Sequence, residues 1–260
     1  MTNKATRTFK HRYSRAKSDN NSHTATAHVQ QVRKVLTDIK EDRSYHLGAW
    51  EPLERKELSP DVTIKLELLH NQSYVSITVP KLAFIAASPV FAEHIAECPN
   101  AQNVRLINKA VDLEAVKTIA DWLRKICSDE VYTDLPIPRD LEQALQLRRT
   151  ARTLGMSQYV AAIIENYICA LGSRVPDASE LVLVSEYTRD YGIVDPMLEA
   201  LANWVGYLMK YHQVDAKMAR LYARELKAEK CQRLLDAVCE RKVDMIHELG
   251  WLAVYRKPWS

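Results

Sequence analysis

The stretch that decides the fold is VPKLAFIAASPVFAEHIAE, residues 79–97. Pro80 can open a helix in its first turn, because its missing N–H would have no intrahelical partner there. Ser88–Pro89 repeats the arrangement, with Ser88 as the cap of a second short helix that runs to Glu97. The turn between the two helices carries apolar side chains and nothing reactive. The side chains that we expect to be mostly core are Leu82, Phe84, Ile85, Val90 and Phe91.

Two alternating segments precede this stretch. DVTIKLELL (61–69) and YVSITV (74–79) each place apolar residues at every second position, which is typical of half-buried strands. The four residues HNQS (70–73) between them predict a β-hairpin. NVRLIN (103–108) is a candidate third strand, and no strand pattern follows it.

The rest of the chain shows helical periodicity. Apolar positions and caps predict helices over 112–129, 141–156 and 158–171, and then four more up to residue 248. Asp177 and Glu180 are expected to form a capping box at the first of those four. The predicted fold class is α+β: a small sheet with packed helices, followed by an all-α C-terminal extension.

The domain organisation follows from these patterns. We expect a disordered basic tail over 1–23, an N-terminal helix within 24–45, an α+β domain over 58–171, and a helical extension over 176–260. Alternatives for the tail are a nuclear-import or polyanion-binding segment and a mitochondrial transit peptide. The N-terminal helix has a thin apolar stripe, which needs a surface to pack on. The stripe consists of Val29, Val32, Val35, Leu36 and Ile39.

Composition and motifs argue against several classes of protein. The chain has 260 residues, is 47% hydrophobic and carries a net charge of +3. No apolar run reaches the roughly 18 residues of a membrane span, so no membrane partner is expected. The five cysteines form no CxxC or zinc-site pattern, which favours a reducing location, nucleus or cytoplasm. No motif of a hydrolase, metalloprotease or nucleotide-binding enzyme occurs, and we expect no catalysis, metal or cofactor.

Basic runs on predicted helices raise the possibility of nucleic-acid binding. Arg148, Arg149 and Arg152 are expected to form an exposed face whose aliphatic stems cover apolar surface. No aromatic residues alternate with these arginines, as they do in proteins that bind single strands. Nucleic acid is therefore not an expected partner.

Asp61–Val62 and the segment 79–91, in this order of elements, resemble a BTB/POZ domain. LEAVKTIADWL (113–123) and LRRTARTLGMSQYVAAIIENYI (147–168) resemble later helices of that family, so the resemblance covers about residues 61–170. Within the family the chain is most similar to fungal BTB-like proteins. Pro80 stands where animal members usually have His, and Asp61 stands at the family's buried, hydrogen-bonded Asp. The C-terminal helices do not clearly match the helical extension of animal adaptor members of the family.

The resemblance implies a protein-interaction module without enzymatic activity. BTB domains commonly dimerise through an N-terminal helix, which implies a homodimer with Val32, Leu36 and Ile39 at the interface. A second expectation is a substrate adaptor of a cullin-RING ubiquitin ligase. The apolar-x-acid pattern of cullin-binding members fits Ile95 and Glu97. A third is a nuclear transcriptional regulator that uses the basic tail.

Overall fold

The structure is a computed structural model that describes residues 9–11, 22–41, 44–58, 61–108, 110–192 and 195–255. It divides the chain into two compact units, Met1–Val160 and Ala161–Ser260. We had predicted that residues 158–171 close the first domain. The structure places the helix Ala161–Leu171 in the second unit, because that helix packs on the helix Pro196–Lys210.

The first unit contains four strands and six α-helices among its described residues. The strands are β1 (Phe9–His11), β2 (Thr63–His70), β3 (Ser73–Pro80) and β4 (Asn103–Leu106). The helices are α1 (Ser22–Glu41), α2 (Pro52–Glu57), α3 (Lys81–Ala87), α4 (Pro89–Glu97), α5 (Leu113–Ser128) and α6 (Leu141–Thr153). The unit is therefore a small mixed sheet with packed helices, and the coarse α+β prediction is confirmed.

The sheet has the strand order β1-β4-β2-β3. β2 and β3 form the predicted hairpin, and the turn residues Asn71 and Gln72 have φ values of 47° and 63°. Two central residues with positive φ are typical of the type I′ turn that suits a right-twisted hairpin. β4 pairs with β2 in parallel, with Val104 opposite Leu66. A parallel pair requires a crossover connection, and α3 and α4 provide it.

The core of the first unit lies between the inner face of the hairpin and the helices. Ile64, Leu66, Ile77 and Val79 are buried, and so is every residue of α3. The rings of Phe84 and Phe91 stack with their centroids 4.1 Å apart, which joins α3 to α4. Four of the five apolar residues that we expected to be core are fully buried. Val90 is half-buried.

Two elements of the first unit were not predicted. α2 begins at Pro52, between the predicted N-terminal helix and the predicted α+β domain, where Glu51 and Glu54 form a reciprocal capping box. β1 pairs antiparallel with β4, with Phe9 opposite Leu106. The predicted disordered tail 1–23 is therefore incorrect at Phe9–His11. Residues 1–8 and 12–21 lie outside the described residues.

The second unit is helical throughout its described residues. Its helices are α7 (Ala161–Leu171), α8 (Ala178–Tyr187), α9 (Pro196–Lys210), α10 (Ala216–Leu226), α11 (Gln232–Asp236), α12 (Glu240–Leu249) and α13 (Trp251–Tyr255). The predicted helix 229–248 is interrupted at 237–239, where the Cys239 N–H donates to the Oδ1 of Asn203 instead of to the preceding turn. The predicted capping box is wrong. The Asp177 side chain makes no capping hydrogen bond, and the Glu180 carboxylate instead accepts hydrogen bonds from Tyr167 and Arg174.

Candidate functional site

The N-terminal helix was predicted to carry the interaction surface, and its apolar stripe is largely buried. Val32 is 0% exposed, and Val35 and Ile39 are each 7% exposed. These residues face α3 and α4, on which α1 packs. Leu36 and Val29 lie at the border of the buried stripe and are half-buried.

This arrangement divides the three predicted partner residues of α1. Val32 and Ile39 belong to the core of the first unit in this conformation. Leu36 is the one that remains in part accessible to a partner. An interface on the outside of α1 would therefore be centred on Leu36 and Val29. An interface that uses Val32 and Ile39 would require α1 to pack on another copy.

Ile95 and Glu97 do not form one surface. Ile95 is 0% exposed and packs inside the first unit, whereas Glu97 is exposed at the last position of α4. Two residues that are two positions apart on a helix point in nearly opposite directions, so the burial of one leaves the other in solvent. Only Glu97 is available to a partner in this conformation.

The segment that follows α1 is tied to the body of the first unit. The Tyr159 hydroxyl accepts the Leu47 N–H at 2.9 Å and donates to the Tyr45 carbonyl at 2.6 Å. Burial raises the pKa of Tyr159, so the hydroxyl keeps its proton and both bonds. The Arg55 guanidinium donates to the Trp50 carbonyl at 2.7 Å and thereby holds the start of α2. The bonds of Tyr159 therefore hold the segment that begins at Tyr45 against the first unit.

A buried lysine was missed by the sequence analysis. Lys81 is 5% exposed, and its Nζ donates to the carbonyls of Pro99 and Ala101, both at 2.7 Å. Burial lowers the pKa of Lys81 to about 8. A lysine at the first position of a helix after a proline would ordinarily be in solvent, so the sequence gives no sign of this burial. Asp61, which the family resemblance placed in the interior, is exposed.

No metal-binding cluster is found in the part of the chain that the structure describes. Its His, Cys, Asp and Glu residues include no group of three that could hold a metal ion. Cys127 is buried, and burial raises the pKa of its thiol to about 12, so it is not a nucleophile at neutral pH. Among the described helices, none is both long and apolar enough to cross a membrane.

The predicted basic face of α6 is only partly correct. Arg148 is 5% exposed, Arg149 is half-buried, and Arg152 is exposed. The three arginines therefore do not present one continuous cationic surface. The helical periodicity places Arg148 next to Leu145 and Ala144 on the inner side of the helix, and these are buried as well.

The second unit contains a buried ionic cluster. Glu180 is 6% exposed and accepts two hydrogen bonds from Arg174, both at 2.7 Å. The Tyr167 hydroxyl donates to the same carboxylate at 2.8 Å. Burial and the neighbouring carboxylate raise the pKa of Tyr167 well above its ordinary value. The cluster joins α7 to α8 and has its hydrogen bonds satisfied, which indicates a structural role.

Comparisons of the chain with protein-family models, with curated proteins and with solved structures found no significant match.

Proposed function

We propose that this chain is a non-enzymatic BTB/POZ-like protein-interaction module that self-associates through α1. The order of elements supports the proposal: a hairpin, the helix pair α3 and α4 with Ser88 between them, a parallel strand, and then α5 and α6. This is the order that the sequence resemblance implies.

One observation carries the proposal. α1 is a helix of 20 residues whose apolar stripe packs on α3 and α4, while Leu36 and Val29 remain half-buried along its border. Apolar residues that are neither core nor fully exposed favour a second contact, because burying them fully gains about 25 cal/mol per Å² of apolar surface. A second copy of α1 would supply that contact along the border of the stripe, at Leu36 and Val29.

The test compares two adjacent positions on α1. In the Leu36→Asp variant a charge replaces an apolar contact in the proposed interface, and we expect the dimer dissociation constant to rise at least tenfold. Thr37→Asp is the matched control, because Thr37 is exposed and next to Leu36. Light scattering and sedimentation over a concentration series measure both variants. A chain that lacks residues 1–45 should be monomeric.

Three outcomes would contradict the proposal. The first is a wild-type chain that is monomeric at every concentration. The second is a dimer that Leu36→Asp weakens no more than Thr37→Asp does. The third is a dimer that survives removal of residues 1–45, which would place the interface away from α1. The cullin-adaptor and transcriptional-regulator hypotheses remain predictions, since Ile95 is buried and most of the basic tail lies outside the described residues.

A further inference from the structure

The buried lysine of the first unit lines a cavity that is partly open to solvent. It has a volume of about 360 Å³ and is bounded by His28 and Val29 of α1, the start of β2, Lys81 and the segment 99–103. Cavities of this size lie within the range of small-molecule sites. Hydrogen bonds of the main chain hold its walls: the Lys65 N–H donates to the Gln102 carbonyl at 2.9 Å, and the Lys81 N–H to the Val62 carbonyl at 2.7 Å.

The charge of Lys81 is not compensated by a carboxylate. Its Nζ is bonded to two carbonyl oxygens, and it forms no ion pair within the described ranges of the chain. An ammonium group has three donors, so one donor is left after the Pro99 and Ala101 carbonyls. A buried cation without an anionic partner is unfavourable, and an anion beside it would offset the desolvation.

The rest of the lining is rich in hydrogen-bond donors. Lys65 and His28 add basic groups, and Thr63, Asn100 and Asn103 add hydroxyl and amide donors. Asp61 is the one acidic side chain in the lining, and it is exposed. The chemistry of this cavity therefore suits an oxyanion attached to a polar molecule.

We propose that this cavity binds a small polar molecule through an oxyanion group, phosphate or carboxylate, which takes the remaining donor of Lys81. The amide and hydroxyl groups of Asn100, Asn103 and Thr63 would contact the uncharged part of the molecule. The proposal does not rest on self-association, since it assigns a ligand to Lys81, which the interaction function does not use. The two sites adjoin, because Val29 of α1 also lines the cavity.

The test measures binding of two probes, inorganic phosphate and citrate, to the full chain by calorimetry and by thermal shift. Sodium chloride at matched ionic strength is the control for screening. We expect saturable binding of at least one probe. Phosphate alone indicates a phosphorylated ligand, and citrate alone indicates a carboxylate. Either result supports the shared oxyanion chemistry.

Three variants locate the binding. Lys81→Met should weaken it at least tenfold, and Asn100→Asp, an exposed change that adds a negative charge to the lining, should weaken it severalfold without affecting folding. Lys125→Met removes an exposed lysine outside the lining and should leave binding unchanged. If Lys81→Met does not fold, Asn100→Asp decides the question. The absence of saturable binding, or equal binding by Asn100→Asp and the wild type, would overturn the proposal.

The pH dependence gives a second readout. Above about pH 8 the Lys81 ammonium loses its proton, and binding of the anion should weaken there. His28, Lys65 and Asp61 are the other titratable groups of the lining. If the affinity for the anion is constant from pH 7 to 9.5, the Lys81 ammonium does not take part in binding. That result would contradict the proposal.

Discussion

The hydroxyl of Ser88 donates a hydrogen bond to the carbonyl of Leu154, 66 residues further along the chain. The same oxygen accepts the N–H of Phe91 at 2.9 Å and so caps α4. One side chain therefore both starts a helix and ties the α3–α4 corner to the end of α6. Both Ser88 and Leu154 are 0% exposed, so water cannot replace either bond.

Ser88→Ala should lower the free energy of unfolding by about 2 kcal/mol. The loss of the cap contributes roughly 1 kcal/mol, and the Leu154 carbonyl, buried without a donor, contributes a similar amount. Urea unfolding followed by tryptophan fluorescence measures the change. Ser128→Ala is the control, because its hydroxyl bonds to the Arg124 carbonyl on the exposed face of α5, and it should change stability by less than about 0.5 kcal/mol.

Gly155→Ala should destabilise the same corner through a contact with Val90. Gly155 has a φ of 75°, and a Cβ at this position would lie 2.6 Å from Cγ2 of Val90. The left-handed backbone alone costs about 1 kcal/mol for a residue with a Cβ, and the overlap adds to this. A double-mutant cycle with Val90→Ala isolates the contact with Cγ2, because Val90→Ala removes that atom and leaves the Val90 Cβ, 2.9 Å away, and the backbone strain. Additive effects of the two changes would show that the overlap with Cγ2 of Val90 does not contribute.

The sequence predicted the elements of this corner because each depended on local chemistry. Pro80 and Ser88 act on their own backbone or on the next helical turn, so their roles are visible in a short window. The hairpin was predicted for the same reason, since alternation and turn length are local. β1 was missed because a strand of three residues in a polar segment has no periodic pattern, and its partner β4 is far along the chain.

The candidate site was harder to predict, because burial depends on tertiary packing. Helical periodicity correctly identified one apolar face of α1, but not that the chain's own α3 and α4 cover Val32 and Ile39. The apolar-x-acid pattern matched the sequence at Ile95 and Glu97. The helix places these two side chains on opposite sides, which the pattern alone does not show. Lys81 is buried because the carbonyls of a distant loop accept its donors, and no local signal predicts that.

Lys81 should make the stability of the chain depend on pH in a defined direction. Its pKa falls from 10.5 to about 8 on folding, so between these values the unfolded chain binds more protons than the folded chain. Its contribution to stability is therefore least favourable below about pH 8 and rises as the pH increases from 8 to 10.5.

The measurement compares melting temperatures. The melting temperature of the wild type minus that of Lys81→Met should increase from pH 7 to 9.5. The subtraction removes the titration of tyrosines and cysteines that both proteins share. A constant difference would show that folding does not change the pKa of Lys81.

The free energy of unfolding should fall more when the ionic cluster of the second unit loses one charged partner than when it loses both. Arg174→Met leaves the buried Glu180 carboxylate with the Tyr167 hydroxyl alone, and we expect a loss of about 2 kcal/mol. This is below the usual cost of breaking a buried pair, because the Arg174 side chain is 39% exposed and water replaces part of its effect. The double variant Arg174→Met/Glu180→Leu removes the unpaired charge and should be more stable than Arg174→Met. Thermal unfolding and amide exchange in α8 measure both.

Arg224→Met, which breaks the exposed pair with Glu225, is the control and should change stability by less than about 0.5 kcal/mol. A double variant that is less stable than Arg174→Met would mean that Glu180 acts through Tyr167 rather than through the ion pair.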